Sequence, residues 1–183
     1  MARTQETFDP RAVIAALERN YVDYVIIGAL ARVLRGTYET TRGIDICPAF
    51  GSVNMEQLKN AANALEARRT GGRDFVFEDR ILSAEDVIVF STSAGELKLI
   101  PVPAGVPSGF VDLRRAATKE DLGHGLRPLV ASTGDLARMA AALHRDQDVE
   151  RLPELRRILE LEVDREAVIA PAQVRGPAQV RGP

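Results

Sequence analysis

The sequence predicts a mixed α/β (α+β) fold, with a sheet built early in the chain and a helical part after it. Apolar, β-branched runs at VDYVIIG, GIDIC, DVIVFST and GELKLIPV, all between residues 22 and 102, read as buried strands. Stretches with apolar residues at helical spacing lie between them and dominate beyond Pro107. The 183 residues, 45% of them hydrophobic, suffice for one domain with a true core.

Each element has its own signal. DPRAVIAALERN (9–20) offers Asp9 as N-cap, Pro10 at the first helical position, and Val13, Ile14 and Leu17 on one face. VDYVIIG (22–28) is a strand ending at Gly28, and ALARVLRG (29–36) a short helix stopped by Gly36. GIDIC (43–47) is a second strand whose one polar interior residue is Asp45, closed by Pro48 and Gly51. MEQLKNAANALEARR (55–69) reads as an amphipathic helix stopped by Gly71 and Gly72. DVIVFST (86–92) and GELKLIPV (95–102) form a hairpin through Ser93, Ala94 and Gly95. Beyond them GFVDLRRAATKE (109–120) is a short helix and LRPLVAS (126–132) a short strand or extended segment. STGDLARMAAALHRD (132–146) is a helix capped by Ser132 or Thr133. DVERLPELRRILELE (148–162) is the last helix, with Pro153 tolerated in its first turns. Residues 1–165 are therefore expected to form one domain, with a sheet-bearing core over 9–107 and a helical part over 108–165. Residues 166–183, where PAQVRG occurs twice, are expected to be an extended or mobile tail.

Composition narrows the function classes. A single cysteine, Cys47, permits neither a disulfide framework nor a cysteine zinc site and makes a buried structural thiol and a cytoplasmic setting the expectation. MARTQETFDP has no apolar leader region, and no apolar run approaches the roughly 20 residues of a membrane span, so no membrane partner is expected. The two histidines, His124 and His144, have no paired acid that would suggest a metal site or a triad. The net charge of −2 conceals arginine clusters at Arg32, Arg35 and Arg42, at Arg114 and Arg115, and from Arg138 to Arg157. A local basic face of this kind suits phosphates, although most such arginines pair with neighbouring acids on solvated helix faces.

The stretch IIGALARVLRGTYETTRGIDICP (26–48) places a glycine corner, a short helix and a strand acid in succession. It resembles the core motif of the minimal nucleotidyltransferases, in particular the abortive-infection-type toxins and their tRNA-modifying relatives. In that family a G-[GS] pair, a short helix and then T-x-D-x-D supply the nucleotide pocket and two metal-binding aspartates. The matching residues here are Gly28, Ala29, Thr41, Gly43 and Asp45. GELKLIPVPAG resembles the family's third-carboxylate strand, FVDLRRAA its following helix and VASTGDLARMAAALHRDQDVERLPELRRILE its closing helices, so the resemblance covers residues 9–161.

The resemblance implies transfer of a nucleotide from a nucleoside triphosphate to a tRNA or protein acceptor, magnesium as cofactor if active, and a cognate antitoxin as partner. Such chemistry needs clustered acids, because carboxylates hold the hard cations that neutralise charge on the phosphate oxygens. It also implies roles for single residues: Asp45 and Asp148 in catalysis, Asp45 with Glu96 on the metal, and Gly28, Ala29, Arg32, Thr41, Arg42, Lys98 and Arg145 around the nucleotide. Three functional positions depart from the pattern, Gly43 for an aspartate, Lys98 for the third carboxylate and Ala140 for the toxin branch's lysine, and Ala29 in the G-[GS] pair is a mild fourth change. If the two strands are neighbours, Lys98 is expected to take the place of a cation and neutralise Asp45. Plainer roles stand beside the functional ones: Glu96 as a rim residue, Asp148 as N-cap of the last helix and Arg145 as a surface cation. Two functions remain open, an active transferase and an inactive homologue that binds nucleotide, RNA or protein.

Overall fold

The computed structural model describes residues 8–71, 76–84 and 87–169. Helix α1 (Pro10–Arg19) starts at Asp9, whose Oδ1 accepts from the backbone N–H groups of Arg11 and Ala12 at 3.0 and 3.1 Å. Strand β1 (Tyr24–Ile27) is buried along its whole length and runs into α2 (Gly28–Arg35), which ends on the left-handed Gly36. Strand β2 (Gly43–Pro48) pairs antiparallel with β1 and parallel with β5 (Gly95–Leu99). The hairpin of β4 (Ile88–Thr92) with β5 turns at Ser93 and Ala94, and the hydroxyl of Thr92 accepts from Ala94 N–H and donates to Gly95 O.

Period-two alternation sorts the two central strands into faces. Ile44 and Ile46 of β2 and Leu97 and Leu99 of β5 are buried, whereas Asp45, Glu96 and Lys98 point the other way. The apolar face meets Val13, Ile14 and Leu17 of α1, which packs in turn on α3 (Ser52–Ala64). Each of these aliphatic side chains is fully or nearly fully buried, contributing about 1.5–3 kcal/mol apiece. The opposite face is left to α2 and to the C-terminal helices, and that is where a cavity forms.

Several elements differ from the sequence expectation. Helix α3 ends at Ala64, not at residue 69, although no glycine stops it. Glu66 takes a left-handed φ of 52° and the N–H groups of Glu66 and Ala67 bond back to Asn63 and Ala62, closing a Schellman turn with a non-glycine residue. The freed Arg68–Arg69 becomes β3, antiparallel to β4. A short helix α4 (Asp79–Ala84) follows, with Asp79 accepting from Gly51 N–H at 2.8 Å.

The mainly helical part contributes the strand expected within 126–132 and a second one where the sequence predicts a helix. After α5 (Phe110–Ala116), β6 (Thr118–Lys119) pairs with β7 (Leu129–Val130), and β7 joins β1 in parallel, giving the order β3-β4-β5-β2-β1-β7-β6. Arg35 ties this edge down: its guanidinium donates to Ala131 O, Val130 O, Thr118 Oγ1 and Glu120 Oε1 at 2.7–2.9 Å. Of the arginines that the sequence offered for phosphates, this one has a structural task. Helix α6 (Thr133–Leu143) is capped by Ser132, and the last helix is broken into α7 (Asp146–Val149) and α8 (Leu152–Ile169), with Pro153 in the first turn of α8. Residues 170–183, including the PAQVRG repeat, lie outside the described residues. No helix of the described residues is long and apolar enough to cross a membrane.

Candidate functional site

A cavity of about 690 Å³ opens between the β1–α2 corner, the polar face of β2 and β5, and α6 with α7. One wall is apolar, formed by Leu136, Met139 and Ala140 of α6 with Ile100 and Val102 beyond β5. Asp45, Lys98, Arg32, Arg145 and Asp148 face them. Ala140, the third departure from the family pattern, is thus part of the greasy wall.

Asp45 explains the glycine corner. A Cβ on Gly28 would collide with Asp45 Oδ2, and the residue has φ +68°, so both space and backbone conformation require glycine here. The carboxylate is packed against the start of α2, where the helix dipole favours an anion. Among the described residues Asp45 has no hydrogen bond or ion pair, and burial raises its carboxyl above the ordinary range against the opposing charge of Lys98.

Lys98 is the register partner of Asp45 across the parallel β2–β5 ladder, as expected. It does not form the expected pair with it. Its Nζ lies 2.9 Å from Glu96 Oε1, two residues back on the same strand face, and this hydrogen bond is what raises the lysine above its usual value. The physical reason is reach: residues i and i+2 of a strand share a face, so the flexible lysine stem lies along β5, while the short side chain of Asp45 is turned to Gly28. Glu96, the sequence candidate for a replacement metal ligand, is thereby committed to an ammonium.

The position of Gly43 is closed as well. A Cβ there would stand 2.6 Å from the carbonyl oxygen and 2.8 Å from the Cβ of Glu96, its partner across the ladder. Thr41 does not line the cavity. Its hydroxyl donates to Gly43 O at 2.7 Å and accepts from Gly43 N–H at 3.3 Å, shaping the entry to β2. Arg42 is exposed and outside the lining, whereas Gly28, Ala29 and Arg32 are within it.

Asp148 is only 2% exposed. Its carboxylate accepts from Arg145 Nε at 2.6 Å and lies 3.7 Å from Arg32 Nη1, so it serves two guanidinium groups rather than capping the following helix. Arg32 is itself gripped by Glu39, with Nε and Nη2 donating to the two carboxylate oxygens at 2.7 and 2.8 Å. Burial alone would raise Glu39, but the Arg32 fork and the hydroxyl of Thr37 bring it below the usual range. Arg151, one of the C-terminal arginines that the sequence offered for phosphates, is in the lining, and so is Glu39, which the sequence did not single out because a loop acid seven residues from its arginine has no periodic signature.

The two histidines are exposed and occupy left-handed turn positions, with φ of 53° at His124 and 51° at His144. Cys47 is buried, donates to Pro101 O and is pushed up to about 12 by burial, as a structural thiol should be.

Magnesium prefers near-octahedral oxygen coordination, and the site that the resemblance implies holds it with a pair of strand aspartates and a third carboxylate. Here Asp45 stands alone, Glu96 is neutralised by Lys98 and Gly43 has no side chain. Among the described residues no group of three or more His, Cys, Asp or Glu side chains comes together to hold a metal ion. The donor set does not fit the metal site that the resemblance implies.

No protein-family model and no curated protein sequence matches the chain. Solved structures do. The crystal structure of ANT(2″)-Ia in complex with adenylyl-2″-tobramycin aligns over 85% of this chain and 92% of that one, at 15% identity and a TM-score of 0.50. This chain has a nucleotidyltransferase fold. The solution structure of the antibiotic-resistance factor ANT(2″)-Ia aligns over 86% and 94% at 12% identity and a TM-score of 0.44. A candidate nucleotidyltransferase from Thermotoga maritima aligns over 86% and 89% at 14% identity and 0.45.

Proposed function

We propose that this chain is an inactive homologue of the toxin-type nucleotidyltransferases that binds a nucleoside triphosphate in its cavity without divalent metal. The observation that carries the reading is the state of β2 and β5: Lys98 faces Asp45 in register and holds Glu96, and the backbone of Glu96 fills the space a side chain at 43 would need. Transfer needs charge on the phosphate oxygens to be neutralised as it develops, and one lone carboxylate beside an ammonium does not assemble the cations for that. Binding asks less. A cavity of this volume suits a nucleotide, with Leu136 and Met139 against the base and arginines for the phosphates. A cognate antitoxin and a cytoplasmic setting follow from the toxin-type reading.

A second reading is supported by Asp45 itself, an unpaired carboxyl with a raised proton affinity, facing the cavity as a general base would. It makes the chain an active enzyme acting on a tRNA or protein hydroxyl. Incubation with each labelled nucleoside triphosphate, magnesium, total tRNA and cellular protein separates the two. We expect retained nucleotide on filters and no label in tRNA or protein. Label transfer that disappears in Asp45→Ala would establish the enzyme instead.

A further inference from the structure

We propose that Asp148 is a built-in phosphate mimic, which occupies the Arg32–Arg145 fork until a polyphosphate displaces it and releases α7 from the cavity. The inference rests on the nucleotide-binding reading and adds where the phosphates sit and what they must displace.

Three features lead to it. Asp148 is the most buried acid in the cavity lining, yet what its carboxylate meets is cationic: Arg145 Nε at 2.6 Å and Arg32 Nη1 at 3.7 Å. An anion between two guanidinium groups is the arrangement these side chains offer a phosphate, whose additional oxygens and charge use the remaining donors better than a carboxylate does. The two arginines also differ in freedom. Arg32 is fixed on α2 by the bidentate grip of Glu39, whereas the side chain of Arg145 is 56% exposed and is held through Asp148.

The element that carries Asp148 is suited to release. Helix α7 is four residues long and begins after the left-handed His144. Among the described side chains of this segment, Asp146, Val149 and Glu150 are exposed and Asp148 is the buried polar one that ties it to the cavity. A ligand that takes the fork removes the anchor. The apparent affinity of the open site is then reduced by the fraction of molecules that are closed.

Calorimetry with sodium tripolyphosphate and with ATP, both in EDTA, tests this on the full chain and on Asp148→Asn, which keeps the shape and removes the charge. The variant is expected to bind both ligands about tenfold more tightly. Equal or weaker binding by the variant overturns the mimic, while ATP binding by the unaltered chain would leave the nucleotide reading standing. Tight tripolyphosphate binding by the variant with no binding of any nucleoside triphosphate by either protein would do the reverse. If neither ligand binds either protein, both readings fall. Should Asp148→Asn not fold, amide hydrogen exchange on the unaltered chain decides: tripolyphosphate should accelerate exchange over residues 145–150, and unchanged or slowed exchange there refutes the release.

Discussion

Restoring the family's missing aspartate at position 43 should damage this protein before it restores anything. The perturbation is best isolated with Gly43→Ala, which adds only the Cβ. That atom would lie 2.6 Å from Glu96 O and 2.8 Å from Glu96 Cβ, on the parallel ladder that positions Asp45 opposite Lys98. Neither neighbour is the end of a flexible side chain, so β2 and β5 must separate. Forced overpacking of this kind costs about 1–3 kcal/mol. Alanine also restricts the unfolded chain, which returns about 0.4–1 kcal/mol. The net expectation is a loss of about 1–2 kcal/mol, seen as a lower urea midpoint at unchanged slope and a fall of roughly 2–8 °C in Tm for a domain of this size. Gly43→Asp should lose more, because its carboxylate would follow the Cβ into the ladder. A Gly43→Ala protein as stable as the parent would show that the strands accommodate a side chain here, and the argument that the site is structurally closed to a second aspartate would fail.

Other outcomes follow from the same geometry. Asp45→Asn should be more stable than the parent at pH 7 by about 1 kcal/mol, because the carboxylate is part-buried without a partner. The sign reverses nothing but fades with acid: the folded carboxyl binds its proton more tightly than the unfolded one, so the parent recovers as pH falls through the raised value towards 3.8, and urea titrations at pH 7 and 4 should show the gap closing. Arg35→Ala should lower stability by about 2–4 kcal/mol in thermal or chemical unfolding, since four hydrogen bonds that hold β6 and β7 to α2 go at once, while leaving nucleotide affinity in the folded fraction unchanged.

The frame of the fold was legible because it rests on local rules. Asp9 and Pro10 announced α1, the β-branched runs announced β1, β2, β4 and β5, and alternation along β2 and β5 put Asp45 and Lys98 on one face. Two of the three two-residue strands were not legible, because Arg68–Arg69 and Thr118–Lys119 have no apolar pattern of their own and exist only through their partners, whereas Leu129–Val130 lies in the extended segment expected at 126–132. The stop of α3 was hidden because a glutamate supplies the left-handed turn that glycine usually signals. At the site, the loss of acids could be read from Gly43 and Lys98, but the choice of Glu96 over Asp45 by the lysine depends on side-chain reach. The grip of Glu39 on Arg32 and the burial of Asp148 between two arginines are tertiary facts, joining α2, a loop and α7.

The decisive property of this cavity is whether it takes a nucleotide without a divalent ion. Isothermal titration of ATP into the full chain, once in EDTA and once in millimolar magnesium, measures that in a single comparison. We expect one saturable site with the same Kd in both buffers, and weaker binding in both for Arg32→Ala. Binding that appears only with magnesium and is abolished by Asp45→Ala would show that the lone carboxylate still serves a metal, and would contradict metal-free binding.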